Sequence, residues 1–404
     1  MKVIEDYLKK DLNRDELITW QDIRVAYAER AVAQVKNDWQ SPAYLSSLDN
    51  QAGRREGRVV GNINDYTRDQ HDLSLAYEKK FVSEYLPRIG LLPIEAFVTS
   101  SGMAALTTAI VMIHRLHSPD NTVLVGKHSY FQNLELLSKS FAKVVMFDEE
   151  NEREWQDLVV RERPIAVFVD TMCNVASLVV PPILEIADFL RKNVKNKTYL
   201  VVDNSMLSIG FPFKKLLSYR SRKLEIVGWE SLNKYYQFGL DRVTGGVVWG
   251  RSAIALELFH ARMHAGTIMS DMQVAMLPTP SYKYLKLYLE RVEQNRQLLL
   301  DQLGARGYSA KTTYDFSGAQ VVVVFKRKMS YAALQRQIAR MIKLAKKEGA
   351  QLSAGTSFGF PTTRVYLTAR QTKFTQMFLR ISVGVEEKVE MEKVTSVITR
   401  VITT

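Results

Sequence analysis

Short apolar runs recur through the middle of the chain, most of them closed by Gly, Ser, Asp or Asn. Ala96-Phe97-Val98-Thr99 reads as a strand, Ser100-Ser101-Gly102 as a tight turn, and Met103 to Leu116 as a strongly apolar helix. Val123-Leu124-Val125 is the next strand and Asn133 to Phe141 the next helix. Val144 to Phe147, Ile165 to Asp170, Tyr199 to Asp203 and Glu225 to Trp229 continue the strand series, with helical Ile183 to Lys195 between two of them. Val243 to Trp249 closes it. Strands alternating with helices predict an α/β fold, a mostly parallel sheet with helices on both faces.

Before this series lie a mixed segment with a helical stretch from Arg14 to Val35, a polar Gly-containing segment from Asn50 to Asn64, and a helix from Asp72 to Leu86. Near Gly266 the character changes. A long amphipathic helix, Ser281 to Leu303, leads to the strand Gln320 to Phe325, a basic helix from Tyr331 to Glu348 and the strand Phe378 to Val383. The expected division is an N-terminal arm over 1–62, a large domain over 63–265 and a smaller C-terminal α+β domain over 266–404. No internal repeat or low-complexity tract interrupts it.

Two strand ends organise the middle of the chain. Tyr199-Leu200-Val201-Val202 ends in Asp203, and Glu225 to Trp229 is followed by Ser231-Leu232-Asn233-Lys234. Open α/β sheets bind ligands in the crevice at the carboxyl ends of their strands, so both side chains would face one pocket. An acid for a pyridinium nitrogen and a lysine for a Schiff base is the pairing that holds pyridoxal phosphate.

Composition narrows the class. With 404 residues, 46% hydrophobic and 24% charged, the chain is ordinary globular material. The single cysteine, Cys173, excludes an intramolecular disulfide framework and a Cys-rich zinc site. No apolar run reaches the roughly 18 residues of a membrane span, and Met1 to Asp6 lacks a signal-peptide core, so a cytoplasmic protein is expected. The net charge of +12 invites a nucleic-acid reading. The basic residues are scattered, with short clusters at Arg220-Ser221-Arg222-Lys223 and Lys326-Arg327-Lys328 and no accompanying motif. Solvated faces, or attraction of an anionic substrate, account for them more simply.

Each candidate residue has a structural alternative. Ser100-Ser101-Gly102-Met103 opens a helix and suits phosphate, but Ser and Gly are also ordinary caps. Asp203 ends a buried run and needs a partner, whether a cap, an ion pair or a ring nitrogen. Lys234, before Tyr235-Tyr236-Gln237-Phe238, is either a surface lysine or a desolvated nucleophile. Arg380, the lone charge in Phe378 to Val383, fits either a salt bridge or capture of a carboxylate. Tyr130 fits either packing or stacking on a flat ring.

The order Tyr66-Thr67-Arg68, Ser101-Gly102-Met103, Tyr130, Asn174, Asp203, Ser231, Lys234, Ser357 and Arg380 resembles the Cys/Met-metabolism family of pyridoxal-phosphate enzymes. This is the cystathionine γ-synthase, cystathionine γ-lyase and methionine γ-lyase group, with the aspartate-aminotransferase (fold type I) architecture. The resemblance implies Lys234 as the Schiff-base lysine, Asp203 on the pyridine nitrogen, Tyr130 stacked on the ring and Asn174 near its phenolic oxygen. It implies Ser101, Gly102, Met103 and Ser231 around the phosphate, with Ser357 and Arg380 on the substrate α-carboxylate. Tyr66 and Arg68 would reach the phosphate of a neighbouring subunit, making a homodimer or homotetramer with a shared active site. No metal ligands, nucleic acid or membrane are implied.

The chain departs from the family pattern around the substrate. Asp69-Gln70-His71-Asp72-Leu73 follows Arg68 in place of Asn-Pro-Thr, Asn233 replaces a Thr, and Asp170 to Val175 lacks both usual prolines. Gln132 stands where methionine γ-lyases carry a cysteine. The expected activity is γ- (or β-) elimination on an amino acid, with Lys234 moving the α proton and Tyr130 or Tyr66 protonating the leaving group. A γ-replacement synthase is the near alternative. A specialised enzyme eliminating halide from a chlorinated allylglycine to leave a terminal alkyne is another. A basic binding protein is the non-enzymatic one.

Overall fold

The computed structural model describes residues 72–87, 93–219, 221–325, 329–368 and 377–403. Tyr66 and Arg68, and the arm expected over 1–62, lie outside the described residues. The chain runs α1 (Asp72–Tyr85), β1 (Ile94–Thr99), α2 (Gly102–Leu116), β2 (Thr122–Gly126), α3 (Phe131–Ser140) and β3 (Lys143–Phe147). It continues through α4 (Glu152–Glu162), β4 (Ala166–Asp170), α5 (Ile183–Asn193), β5 (Thr198–Asp203), α6 (Phe213–Ser218), β6 (Leu224–Ser231) and β7 (Gly246–Arg251). After α7 (Ser252–Ala265), α8 (Asp271–Ala275) and α9 (Tyr282–Leu303) come β8 (Gly307–Tyr308), β9 (Gln320–Val323) and α10 (Tyr331–Glu348). The last elements are β10 (Ser353–Ala354), β11 (Arg364–Thr368), β12 (Phe378–Ser382) and α11 (Lys388–Thr403).

The large sheet has seven strands in the order β1-β7-β6-β5-β4-β2-β3. From β6 to β3 all neighbours are parallel, and β7 runs antiparallel to both β6 and β1. Every residue of β4 and β5 is buried, as the unbroken apolar runs of central parallel strands require. Alternate residues feed opposite cores. Leu200 and Val202 join one apolar cluster with Val167 and Val169, while Tyr199 and Val201 join another with Ala166 and Phe168. The two-residue period of a strand thus explains why both sheet faces carry helices. Truncating Leu200 to Ala would cost about 2–5 kcal/mol.

The antiparallel β7 is a feature that the strand-helix alternation did not foretell. A parallel neighbour needs a crossover, usually a helix, whereas an antiparallel strand can return directly. The chain leaves β6 at Ser231, makes a loop pinned by buried Leu232, Tyr235, Tyr236 and Phe238, and comes straight back as β7. That loop carries Lys234. Five helices, α4, α6, α7, α8 and α11, and the strands β8, β10 and β11 also occupy stretches that the apolar pattern had not singled out. In α4 the signal is only Trp155, Leu158 and Val159 among charges. In α7 the apolar residues surround the helix, which packs against α2 and the sheet edge, so no one-sided stripe marks it.

The smaller domain holds a second sheet, β10-β11-β12-β9-β8, antiparallel except for the β10–β11 pair. Its core gathers Val321 and Val323, Val365 and Leu367, Leu379 and Ile381, against α10 and α11. The helix α9 belongs to both domains: Leu285, Leu289 and Val292 enter a core of the large sheet, Leu299 and Leu303 the core of the smaller. No described helix is long and apolar enough to cross a membrane.

Candidate active site

A cleft of about 610 Å³ opens at the carboxyl ends of the parallel strands and is closed on the far side by the smaller domain. Tyr130 after β2, Asp170 ending β4, Asp203 ending β5 and Ser231 ending β6 form one wall. Ser357, Phe358 and Arg380 form the other.

Asp203 and Asp170 are partners in the parallel register and both are buried. Asp203 Oδ1 accepts the Ser205 N–H at 2.9 Å, and Oδ2 accepts from Asn133 Nδ2 at 3.2 Å. Asp170 Oδ2 accepts the Tyr130 N–H at 2.8 Å. Burial raises the Asp203 pKa against these hydrogen bonds and the Lys234 charge. Burial, then the Asp203 charge, holds that of Asp170 well above the carboxylate range. Among the described residues no lysine, arginine or histidine forms an ion pair with Asp203. A buried carboxylate in that position favours a cation or a shared proton opposite it.

At the next strand end the site turns toward anions. Ser101 caps α2 by accepting the Ala104 N–H at 3.0 Å, leaving the first-turn amides of Gly102 and Met103 with no carbonyl within the helix. A Cβ on Gly102 would lie 2.9 Å from Ser231 Cβ, so only glycine lets this helix end approach β6. Ser231 is itself held by its N–H donating to Ser205 Oγ at 2.9 Å. The cradle of a helix N-terminus and two serines suits a phosphate.

Lys234 lies between these ends. Its Nζ donates to Ser357 Oγ at 2.8 Å and sits 4.9 Å from the centre of the Phe358 ring. Burial, reinforced by the Arg380 charge, lowers its pKa to about 8. Ser357 holds a left-handed backbone, φ 72°, and a Cβ on the nearby Gly359 would come 2.4 Å from the Lys234 carbonyl. Asn233 ties the lysine loop together, accepting from the Gly245 N–H at 3.0 Å and donating to Asp241 Oδ1 at 3.1 Å.

Arg380 projects from β12 and is almost fully buried. Its Nη1 donates to Asn174 Oδ1 at 2.6 Å and its Nη2 to the Ser357 carbonyl at 3.4 Å. Burial lowers its pKa to about 10. No carboxylate among the described residues pairs with it, which removes the salt-bridge alternative within them. Asn174 therefore spends its Oδ1 on Arg380, and its NH₂ remains for any ring oxygen.

The described site residues expected from the sequence thus line or border one cleft: Ser101, Gly102, Met103, Tyr130, Asn174, Asp203, Ser231, Lys234, Ser357 and Arg380. Sequence reasoning missed Asn133, Ser205 and the role of Asp170. Asp170 ends a buried strand just as Asp203 does and was legible on that ground; Asn133, inside a helix, had no signal. It also missed His128 and Glu149, which fix the turn leading to Tyr130. Glu149 accepts from the His128 N–H at 3.0 Å and meets its Nδ1 at 2.9 Å. From one end to the other, the cleft can take an anion, a flat ring bearing a cation, an electrophile beside an amine, and a carboxylate.

The sequence model of the family described as Cys/Met metabolism PLP-dependent enzyme matches residues 40–393. The bifunctional enzyme flvA of Aspergillus flavus is 26% identical over 306 residues, 72% of this chain and 37% of that protein. The chain therefore spans little more than a third of that relative's length. Cystathionine gamma synthase from Xanthomonas oryzae pv. oryzae, solved with cystathionine, has the same fold at TM-score 0.68 and 18% identity, covering 85% of this chain and 88% of that one. CalE6, a methionine gamma lyase from Micromonospora echinospora, gives TM-score 0.65 at 17% identity, over 83% and 87%. A putative O-acetylhomoserine (thiol)-lyase from Campylobacter jejuni, whose structure contains a pyridoxyl-lysine monophosphate, gives 0.64 at 16% identity, over 88% and 91%. The match across most of the sequence, on a fold type I framework, places this chain in the Cys/Met-metabolism family of pyridoxal-phosphate-dependent enzymes.

Proposed function

We propose that the protein is a lyase that eliminates a substituent from the γ (or β) carbon of an amino acid. The observation that supports this best is the position of Lys234. Its amine is held by Ser357 between Asp203 and Arg380, a buried carboxylate and a buried guanidinium that have no oppositely charged ion-pair partner among the described residues. Asp203 would hold the cofactor's ring nitrogen protonated, Tyr130 would cover the ring, and Asn174 would donate to its oxygen. Ser101, Gly102, Met103 and Ser231 would hold the phosphate. When bound, pyridoxal phosphate supplies an electron sink for charge developing at Cα.

The protein's own groups do the rest. Arg380 and Ser357 orient the α-carboxylate, so the Cα–H bond faces the amine. Lys234 Nζ, neutral above about pH 8, removes that proton. Tyr130, or the partner subunit's Tyr66, protonates the departing group. Tyr66 and Arg68 act across a homodimer or homotetramer interface in this reading.

The test is product analysis on the holoenzyme with a panel of γ-substituted amino acids. Release of ammonia, a keto acid and the γ group is expected, and Lys234→Ala should abolish it. Turnover retained by Lys234→Ala would sink the assignment. The same assay with an added thiol decides the γ-replacement reading, which the fold of the Xanthomonas synthase keeps in view.

A further inference from the structure

The cleft contains a second arginine that the proposed chemistry does not use. Arg364 opens β11, where Val365 and Leu367 are buried in the core of the smaller domain; Arg364 and Tyr366 lie on the opposite face, and Arg364 lines the cleft. In the antiparallel register Tyr366 lies opposite Arg380 and Arg364 opposite Ser382. The two arginines therefore share a sheet face as diagonal neighbours, a relation that sets residues about 7–8 Å apart and within reach of long side chains.

The guanidinium of Arg364 is set in place. Its central carbon lies 4.1 Å from the centre of the Phe360 ring, and Phe360 also lines the cleft. Gly355 leaves it room, since a Cβ there would come 2.4 Å from Nη2. Among the described residues it makes no hydrogen bond and no ion pair. A planar fork stacked on an aromatic ring keeps its donors in one plane, which suits two oxygens of one anion. Arg380, deeper and braced by Asn174, is matched to the α-carboxylate, so an anion at Arg364 belongs to another part of the substrate.

We propose that Arg364 is a second anion subsite, selecting amino acids whose γ substituent carries an oxyanion, either a carboxylate or a phosphoryl group. The inference rests on the reading that an amino acid occupies the cleft with its α-carboxylate on Arg380.

Titration of the holoenzyme with inert ligands tests it. L-2-Aminoadipate and L-norleucine have the same carbon chain, with and without a distal carboxylate, and L-2-amino-4-phosphonobutyrate supplies the phosphoryl arm. The readout is the ratio of dissociation constants, followed through the cofactor's absorbance. The wild type should prefer one of the anionic ligands over norleucine by about ten- to a hundred-fold, and the larger preference identifies the oxyanion. Arg364→Gln should bring that ratio close to one, and Arg364→Lys should leave an intermediate value. A wild-type ratio near one, or a ratio unchanged in Arg364→Gln, overturns the proposal. If Arg364→Gln does not retain cofactor, the wild-type ratio and Arg364→Lys decide. None of these ligands has a γ leaving group, so the outcome is separate from that of the elimination assay.

Discussion

Lys234 and Ser357 are joined by a 2.8 Å hydrogen bond that spans 123 positions of sequence and links the large sheet's lysine loop to the smaller domain. Ser357 holds this contact from a backbone φ of 72°, a conformation that disfavours side chains. Ser357→Ala and Ser357→Gly both remove the acceptor, and each should slow capture of pyridoxal phosphate about tenfold. Only the glycine variant relieves the backbone. Its urea midpoint should correspond to about 1 kcal/mol more stability than that of the alanine variant. Equal midpoints would show that the left-handed geometry carries no strain.

The lysine's lowered pKa sets a pH dependence. A neutral amine attacks an aldehyde, and Lys234 becomes neutral above about pH 8 in place of the ordinary 10.5. Cofactor capture by the apoprotein should therefore rise through pH 8 and then level. Arg380→Gln removes the second cause of the shift and should move the midpoint upward. Stability has the matching sign. Between about 8 and 10.5 the unfolded chain binds this proton and the folded one does not, so the apoprotein gains stability as pH rises through that window. Urea midpoints of Lys234→Met should lack that contribution.

Asp203→Asn separates charge from hydrogen bonding. The substitution keeps an acceptor for the Ser205 N–H but removes a carboxylate whose burial is costly. Turnover should fall by about 10²–10³-fold, the range for losing one preorganised electrostatic contact. The apoprotein should melt at a higher temperature than the wild type. A variant that loses both stability and activity would mark Asp203 as a structural acid instead.

Gly102→Ala tests the phosphate cradle. Alanine ordinarily favours a helix, but here its Cβ would press on Ser231 Cβ at 2.9 Å and Cα at 3.1 Å. Forcing those groups apart costs about 1–3 kcal/mol. The dissociation constant for pyridoxal phosphate, read from dialysis and absorbance, should rise about tenfold or more. Unchanged retention would show that the approach of α2 to β6 does not shape the site.

The local patterns of the chain determined much of this protein. The strand series and the helix after Ser101 rest on periodicity within windows of a few residues. So do Asp203 and Lys234 at strand ends, because burial of an apolar run is announced by the run itself. The order of the remaining site residues was legible only through its resemblance to the Cys/Met-metabolism family. Tertiary structure alone decided the contacts that give those residues their chemistry. The antiparallel return of β7, the Asp170–Asp203 pairing, Arg380 on Asn174 and Lys234 on Ser357 join positions that no short window contains. Arg364 is the clearest case: in sequence it is one charge in a modest strand, and only the register of β11 against β12 sets it on the cleft face beside Arg380. Burial and register are properties of the packed whole, so the partner of a charged side chain is settled only when the distant strands meet.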